Sequence, residues 1–234
     1  MSSSASAGNV PGRITAKAVS VNIDNACNAF LHDCFRQFGI HVVAPPGDPI
    51  GIFGRQKFEA CVIRLYDPNA EKILQAARNS NSNRRIVIYG IARSTQEALR
   101  FSKYGINAVF DEPLDRQSVL KVVRSTHLLV IHELRRYVRI PVVTEVKLDI
   151  GSGSANVESV EVSSGGMSVR SPVPIASQEQ VQITATLPGL PKLTVRAYIC
   201  WAKPAEKLYG LRYDPADERR LRVRGWIDQY LEIV

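Results

Sequence analysis

Arg135, Arg136 and Arg139 crowd into "RRYVR", immediately before an apolar run that starts at Ile140. A guanidinium presents parallel N–H donors, so it fits groups offering two acceptors at the same spacing, such as phosphate oxygens or the O6/N7 edge of guanine. Arg135 and Arg139 lie four apart, which puts both on one side of a helix or a strand and lets Arg136 point elsewhere. Further along, "EVSSGGM" offers a complementary set. Glu161 can accept from guanine N–H donors, the Ser163 hydroxyl can donate or accept, and Gly165 with Gly166 permits a tight turn and close backbone approach. These residue types suit holding an anion rather than making or breaking bonds. No nucleophile, base and orienting group assemble elsewhere, so an enzyme is not expected.

The remaining reactive residues are scattered. Cys27, Cys34, Cys61 and Cys200 form no C-x-x-C pair and read as buried free thiols, while His32, His41, His127 and His132 lack metal-ligand spacing. Neither a metal nor a catalytic cofactor is expected. Thirty Lys and Arg against 22 Asp and Glu leave a formal charge of +8, which favours anionic partners. A nucleic-acid partner is disfavoured, because no helix-turn-helix or aromatic RNA-binding motif accompanies that charge. "LLVI" at Leu128–Ile131 falls far short of the roughly 18 to 20 apolar residues of a membrane span. The opening "MSSSASAGNVPG" has no signal-peptide pattern and reads as a disordered tail, so a cytoplasmic location is expected.

The elements that must position these residues change character near residue 125. Before it, "AKAVSVN", "HVVAP", "ACVIRLY", "RIVIYGI" and "NAVFDEP" read as strands alternating with helices, the rhythm of a parallel sheet covered on both faces. "NACNAFLHDCFRQFG" carries apolar residues at helical spacing and ends at Gly39. In "DPNAEKILQAARN", Asp67 reads as an N-cap and Pro68 as the first helical residue.

This order resembles the response-regulator receiver fold over roughly residues 14 to 125, with its chemical positions replaced. Where the family carries an acidic pair after the first strand, this chain has Asn22, Ile23 and Asp24; Arg64 stands at the phosphoacceptor aspartate. Ile91 aligns with the Thr or Ser after the fourth strand, and Glu112, before Pro113, with the lysine of the Lys-Pro pair. An acyl phosphate needs a carboxylate nucleophile and a bound cation, and Arg64 supplies neither. The resemblance therefore implies a pseudo-receiver in which Arg64 and Glu112, of opposite sign, pair across the strand ends.

"DRQSVLKVVRSTHLLVIHELRR" has no Gly or Pro and reads as one helix from Asp115, with Leu120, Val123, His127, Val130, Ile131 and Leu134 on its apolar face. That face covers a core, and it is also a candidate dimer seam. Beyond Pro141, "VTEVKLDI", "VESVEV", "MSVRS", "QVQITATL", "KLTVRAYICWA" and "LYGLRY" read as six short antiparallel strands, best closed into a barrel. In "KLTVRAYICWA" strict alternation turns Leu193, Val195, Ala197, Ile199 and Trp201 inward. A terminal helix follows, with Asp214 as cap, Pro215 in the first turn, and Val223, Trp226, Ile227, Tyr230 and Leu231 as the buried stripe.

The arginine pair, the S-x-x-G turn and "YGLRY" together resemble the PilZ domain, whose signatures are R-x-x-x-R and [D/N]-x-S-x-x-G, over roughly residues 132 to 234. Glu161, one methylene longer, stands where the family has Asp or Asn. The resemblance implies a six-stranded barrel with a C-terminal helix that binds cyclic di-GMP in bacterial second-messenger signalling. It implies that Arg135 and Arg139 grip guanine edges and phosphates with help from Arg136, while Ser163 and Gly166 shape the barrel side. The expected organisation is a disordered tail at 1–13, a pseudo-receiver at 14–125, a helical linker at 126–134 and a PilZ domain at 135–234. Binding would change the arrangement of the two domains and engage a downstream protein partner. The alternative is a nucleotide-independent adaptor.

Overall fold

The computed structural model describes residues 13–151, 153–175 and 180–231. The expected N-terminal tail, apart from Arg13, and the last three residues of the expected terminal helix lie outside the described residues. The chain divides into two compact units, Ile14–Leu134 and Arg135–Leu231.

In the first unit the chain runs β1 (Ala16–Val21), α1 (Asn25–Arg36), β2 (Ile40–Val43), α2 (Ile52–Arg55), β3 (Ala60–Arg64) and α3 (Ala70–Asn79). It continues through β4 (Val87–Ala92), α4 (Thr95–Arg100) and β5 (Ala108–Asp111) into α5 (Arg116–Tyr137). The strands form one sheet in the order β2-β1-β3-β4-β5, every pair parallel. This is the doubly wound order whose functional sites lie beyond the carboxyl ends of the strands, where the order reverses. All six residues of β4 are buried, as a central strand covered on both faces requires. Phe35 of α1 packs edge-on against Tyr89 of β4 and Phe110 of β5, and Thr126 of α5 meets the Tyr89 hydroxyl at 2.7 Å. Truncating a fully buried phenylalanine such as Phe35 costs about 3 to 5 kcal/mol. Residues 126–134, set apart by sequence as a linker, are helical and belong to this unit.

Two details of the first unit depart from the sequence reading. Asp67 does not cap α3: its carboxylate accepts from Asn69 N at 2.7 Å and from Asn22 Nδ2 at 2.9 Å, making a separate turn, so the helix begins only at Ala70. Ile91 lies inside β4 and is buried, not beyond the strand. Helix α4, unassigned from sequence, starts with Ser94 accepting from Glu97 N while Glu97 reaches back past the cap to Arg93 N, a variant of the S-x-x-E capping box.

The second unit holds β6 (Ile140–Pro141), β7 (Glu145–Ile150), β8 (Gly153–Ser163), β9 (Gly166–Arg170), β10 (Gln180–Ala185), β11 (Leu193–Lys203), β12 (Leu208–Tyr213) and α6 (Arg220–Asp228). Strands β7 to β12 close into a six-stranded antiparallel barrel, in the ring order β8-β7-β10-β11-β12-β9 and back to β8, with β6 pairing to the end of β8. Closure leaves no long unpaired edge on these short strands. Leu148, Val169, Ile183 and Val195 fill the interior, and Trp226 of α6, almost fully buried, donates to Pro188 O at 2.7 Å.

The terminal helix starts later than the Asp-Pro signal suggests. Asp214 accepts from Ala216 N, and Asp217 accepts from the backbone of Arg196 and Arg219, so residues 214–219 form turns tied to β11 and α6 begins at Arg220. Cys34 and Cys61 are buried, and burial pushes the Cys61 thiol up to about 12; Cys27 is half-buried, and Cys200, contrary to expectation, is exposed. Among the described residues no helix is long and apolar enough to cross a membrane.

Candidate functional site

Two bulges decide which side chains leave the barrel. On β8, Ser159 pairs with Val169 and Glu161 with Ser168, so Val160 is an extra residue. Without it, the alternation that buries Val157 and Ser159 would carry Glu161 inward; with it, Val162 takes the core position. Glu161 and Ser163, two residues apart, therefore share the outer face. On β11, Ile199 pairs with Leu211 and Trp201 with Gly210, leaving Cys200 as the extra residue. The phase flips again, and Trp201, expected inside, is 41% exposed. Its indole lies against Gly210, where an added Cβ would stand 2.0 Å from Trp201 Nε1.

These side chains line one cleft of about 540 Å³, together with Arg136, Arg139, Ser164 to Ser168, Cys200 and Gly210 to Arg212. The volume is within the usual range for a small-molecule site. Among the described residues, its wall carries the guanidinium-bearing residues Arg136, Arg139 and Arg212 and the carboxylate of Glu161. The Arg139 Nη1 donates to the carbonyls of Arg136 at 3.2 Å and Val138 at 3.1 Å, folding the exposed side chain back on the end of α5. Ser163 is buried and donates to Gly166 O at 2.9 Å, which fixes the hairpin turn. The two glycines of that turn differ in what they permit. A Cβ on Gly166 would meet Leu211 O at 2.0 Å, whereas a Cβ on Gly165 would meet nothing within 4 Å.

Of the residues singled out by sequence, Arg136, Arg139, Glu161, Ser163, Gly165 and Gly166 come together in this cleft; Arg135 does not. The Arg135 Nε donates to Asp228 Oδ1 at 2.6 Å and its Nη2 to Asp228 Oδ2 at 3.0 Å, a bidentate pair with the end of α6. The expectation that Arg135 and Arg139 aim together while Arg136 points away is thus reversed for the first two arginines. A helix advances about 100° per residue, and it is Arg136 that this rotation turns to the cleft. Sequence reasoning missed Trp201 and Arg212. Arg212 was legible, since it alternates with buried Leu211 and Tyr213; Trp201 was hidden by the bulge.

At the carboxyl ends of the parallel strands, the Arg64 Nη2 donates to Asp24 Oδ2, and its Nε stands 4.0 Å from Glu112 Oε1, at the limit of an ion pair. The Arg64 Nε is buried and has no hydrogen-bond partner among the described residues. Glu112 is shared: it accepts from the Tyr66 hydroxyl at 2.8 Å and from Arg93 Nε at 3.2 Å, and the Arg93 guanidinium lies 3.7 Å over the Tyr66 ring. Asp24 also caps α1 by accepting from Cys27 N at 2.9 Å. That backbone bond first, and Arg64 second, hold its carboxyl below the usual range. Among the described residues no three His, Cys, Asp or Glu side chains group to hold a metal ion.

Residues 133–231 match the family model of the PilZ domain. The chain is similar to the PilZ domain of CeSA from a cellulose-synthesizing bacterium, at 21% identity over 39% of this chain and 96% of that one, with a TM-score of 0.34. It is similar to the receiver domain of a sensor histidine kinase from Pseudomonas aeruginosa PAO1, at 15% identity over 47% of this chain and 97% of that one, TM-score 0.40. A chemotaxis response regulator of Vibrio cholerae shares 13% identity over 48% of this chain and 98% of that one, TM-score 0.43. No curated protein matches the chain. Residues 133–231, which form the barrel and its helix, thus match the PilZ domain, and the parallel 2-1-3-4-5 sheet before them has a receiver-like fold.

Proposed function

We propose that this protein is a cyclic di-GMP receptor that performs no chemistry on its ligand. The observation that carries this reading is the cleft, whose described wall gathers Arg136, Arg139 and Arg212 with Glu161 and an exposed tryptophan. The arginine forks take phosphate oxygens and guanine O6/N7 edges. Glu161 accepts from guanine N–H donors, reaching one methylene farther than Asp would. The exposed face of Trp201 offers a purine a stacking surface, a contact worth about 1 to 3 kcal/mol per base. Gly166 lets β9 lie close against β12, with no room for a Cβ beside Leu211 O.

The receiver-like half takes no phosphoryl group in this reading, because a guanidinium occupies the acceptor position and is already engaged by Asp24. Ligand binding acts in the cytoplasm through α5, whose last turn carries Arg135 and Arg136, and biases the relation between the halves to engage a protein partner or a second copy. It can do so only through unequal affinity for two states. One observation favours the nucleotide-independent adaptor instead: the first arginine of the R-x-x-x-R signature is spent on Asp228.

Tryptophan fluorescence separates the two. Trp226 is buried and Trp201 exposed, so a ligand in the cleft changes chiefly the Trp201 emission. Cyclic di-GMP is expected to give a saturable change and cyclic di-AMP, which lacks the guanine O6 acceptor, little or none. Silence toward both, with the protein folded, would remove the receptor reading and leave the adaptor.

A further inference from the structure

We infer that Asp228 is a latch on Arg135: it competes with the ligand for this guanidinium and thereby sets the affinity of the cleft. The inference rests on the receptor reading. The Nε and Nη2 donors of Arg135 are both engaged by the Asp228 carboxylate, at 2.6 and 3.0 Å. Those two donors make up one complete edge of the fork, the kind of edge that takes a phosphate or guanine face bidentately. The same edge cannot serve carboxylate and ligand together.

The main chain of Arg135 is nevertheless at the cleft. Its carbonyl accepts from the hydroxyl of Ser164 at 3.1 Å, and both Ser164 and the next residue, Arg136, line the cleft wall. Only the side chain is turned away, and side-chain torsions alone can redirect it between staggered positions. Asp228 is the last residue of α6, at the negative end of the helix dipole, which disfavours a carboxylate. Arg135 offsets that repulsion, so the acid has a reason to be there in the latched state. Val223, Trp226 and Ile227 are buried, so α6 stays on the barrel when the pair opens. The pair itself is partly shielded, with side-chain exposures of 17% for Arg135 and 29% for Asp228, so salt screens it less than a surface pair.

Asp228 is a positioning residue in this scheme. A protein whose competent state is a minor fraction binds more weakly by that fraction, and removing the competitor restores the difference. Calorimetric titration with cyclic di-GMP of the full chain tests it in four forms: wild type, Asp228→Asn, Arg135→Ala and the double variant. Asp228→Asn is expected to bind roughly five- to tenfold tighter than wild type, Arg135→Ala more weakly, and the double variant no tighter than Arg135→Ala. The double variant separates release of Arg135 from the mere removal of a negative charge, because a general electrostatic gain would persist without the arginine. Such a persistent gain overturns the latch. Asp228→Ala, which also frees the fork, must repeat the gain. Wild-type binding unchanged or weakened by both Asp228 substitutions overturns the latch and leaves the receptor reading intact. Binding by neither wild type nor Asp228→Asn overturns both, and binding by Asp228→Asn alone establishes the latch in its strongest form.

Discussion

The strand ends of the parallel sheet and the cleft of the barrel both gather arginines with carboxylates, and the balance between them differs. At the strand ends Arg64 is met by Asp24, while Glu112 is shared by Tyr66 and Arg93, so two cations face two carboxylates. Among the described residues, the cleft wall brings Arg136, Arg139 and Arg212 together with Glu161, around a space of about 540 Å³. The first arrangement satisfies itself. The second places basic side chains beside room for a ligand, which suits an anionic one. At the strand ends the charged groups engage one another, and the space for a ligand lies in the barrel.

The larger effect in the barrel half distinguishes the two glycines of its turn. Gly166→Ala drives a methyl group into the Leu211 carbonyl and should cost about 2 to 3 kcal/mol, whereas Gly165→Ala enters open space and should stay within about 0.5 kcal/mol. Urea denaturation followed by tryptophan emission reads this in the barrel half, because Trp201 and Trp226 are the two tryptophans of the chain. Equal costs at both positions would mean that the close approach of β9 to β12 does not constrain the turn.

A smaller effect tests the parallel half. The Asp24 carboxyl is held below its ordinary pKa, so it contributes stability above the unfolded value of about 3.9 and loses it as pH falls through the lower folded value. Asp24→Asn should therefore flatten the decline of stability below about pH 4, measured by far-UV circular dichroism in urea. The same variant should leave cyclic di-GMP affinity unchanged. A fall in affinity with Asp24→Asn would mean that the strand ends take part in the ligand site.

How much of this was legible follows from how local each signal is. The parallel strands, the long helix and the six barrel strands were readable because their apolar periods of 3.6 and 2 are local. Glu161, Ser163 and Gly166 were readable for the same reason, as they share one hairpin. The bulges at Val160 and Cys200 were not, because a bulge is defined by the register of the partner strand. That is why Trp201 was expected inside and found outside. The starts of α3 and α6 failed alike: Asp67 and Asp214 look like helix caps, but partners distant in sequence, Asn22 and Arg196, hold them in turns. The partner of Arg135 is 93 residues away, beyond the reach of any spacing argument.

The central claim is that the barrel cleft, and not the strand ends of the first half, binds the dinucleotide. Calorimetric titration of cyclic di-GMP into wild type, Arg139→Ala and Arg64→Ala tests it most directly. The account predicts saturable binding by wild type, the same affinity for Arg64→Ala, and a loss of at least about tenfold for Arg139→Ala, the size expected when one charge-assisted contact is removed. Binding that survives Arg139→Ala undiminished, or that disappears with Arg64→Ala while the protein stays folded, would contradict it.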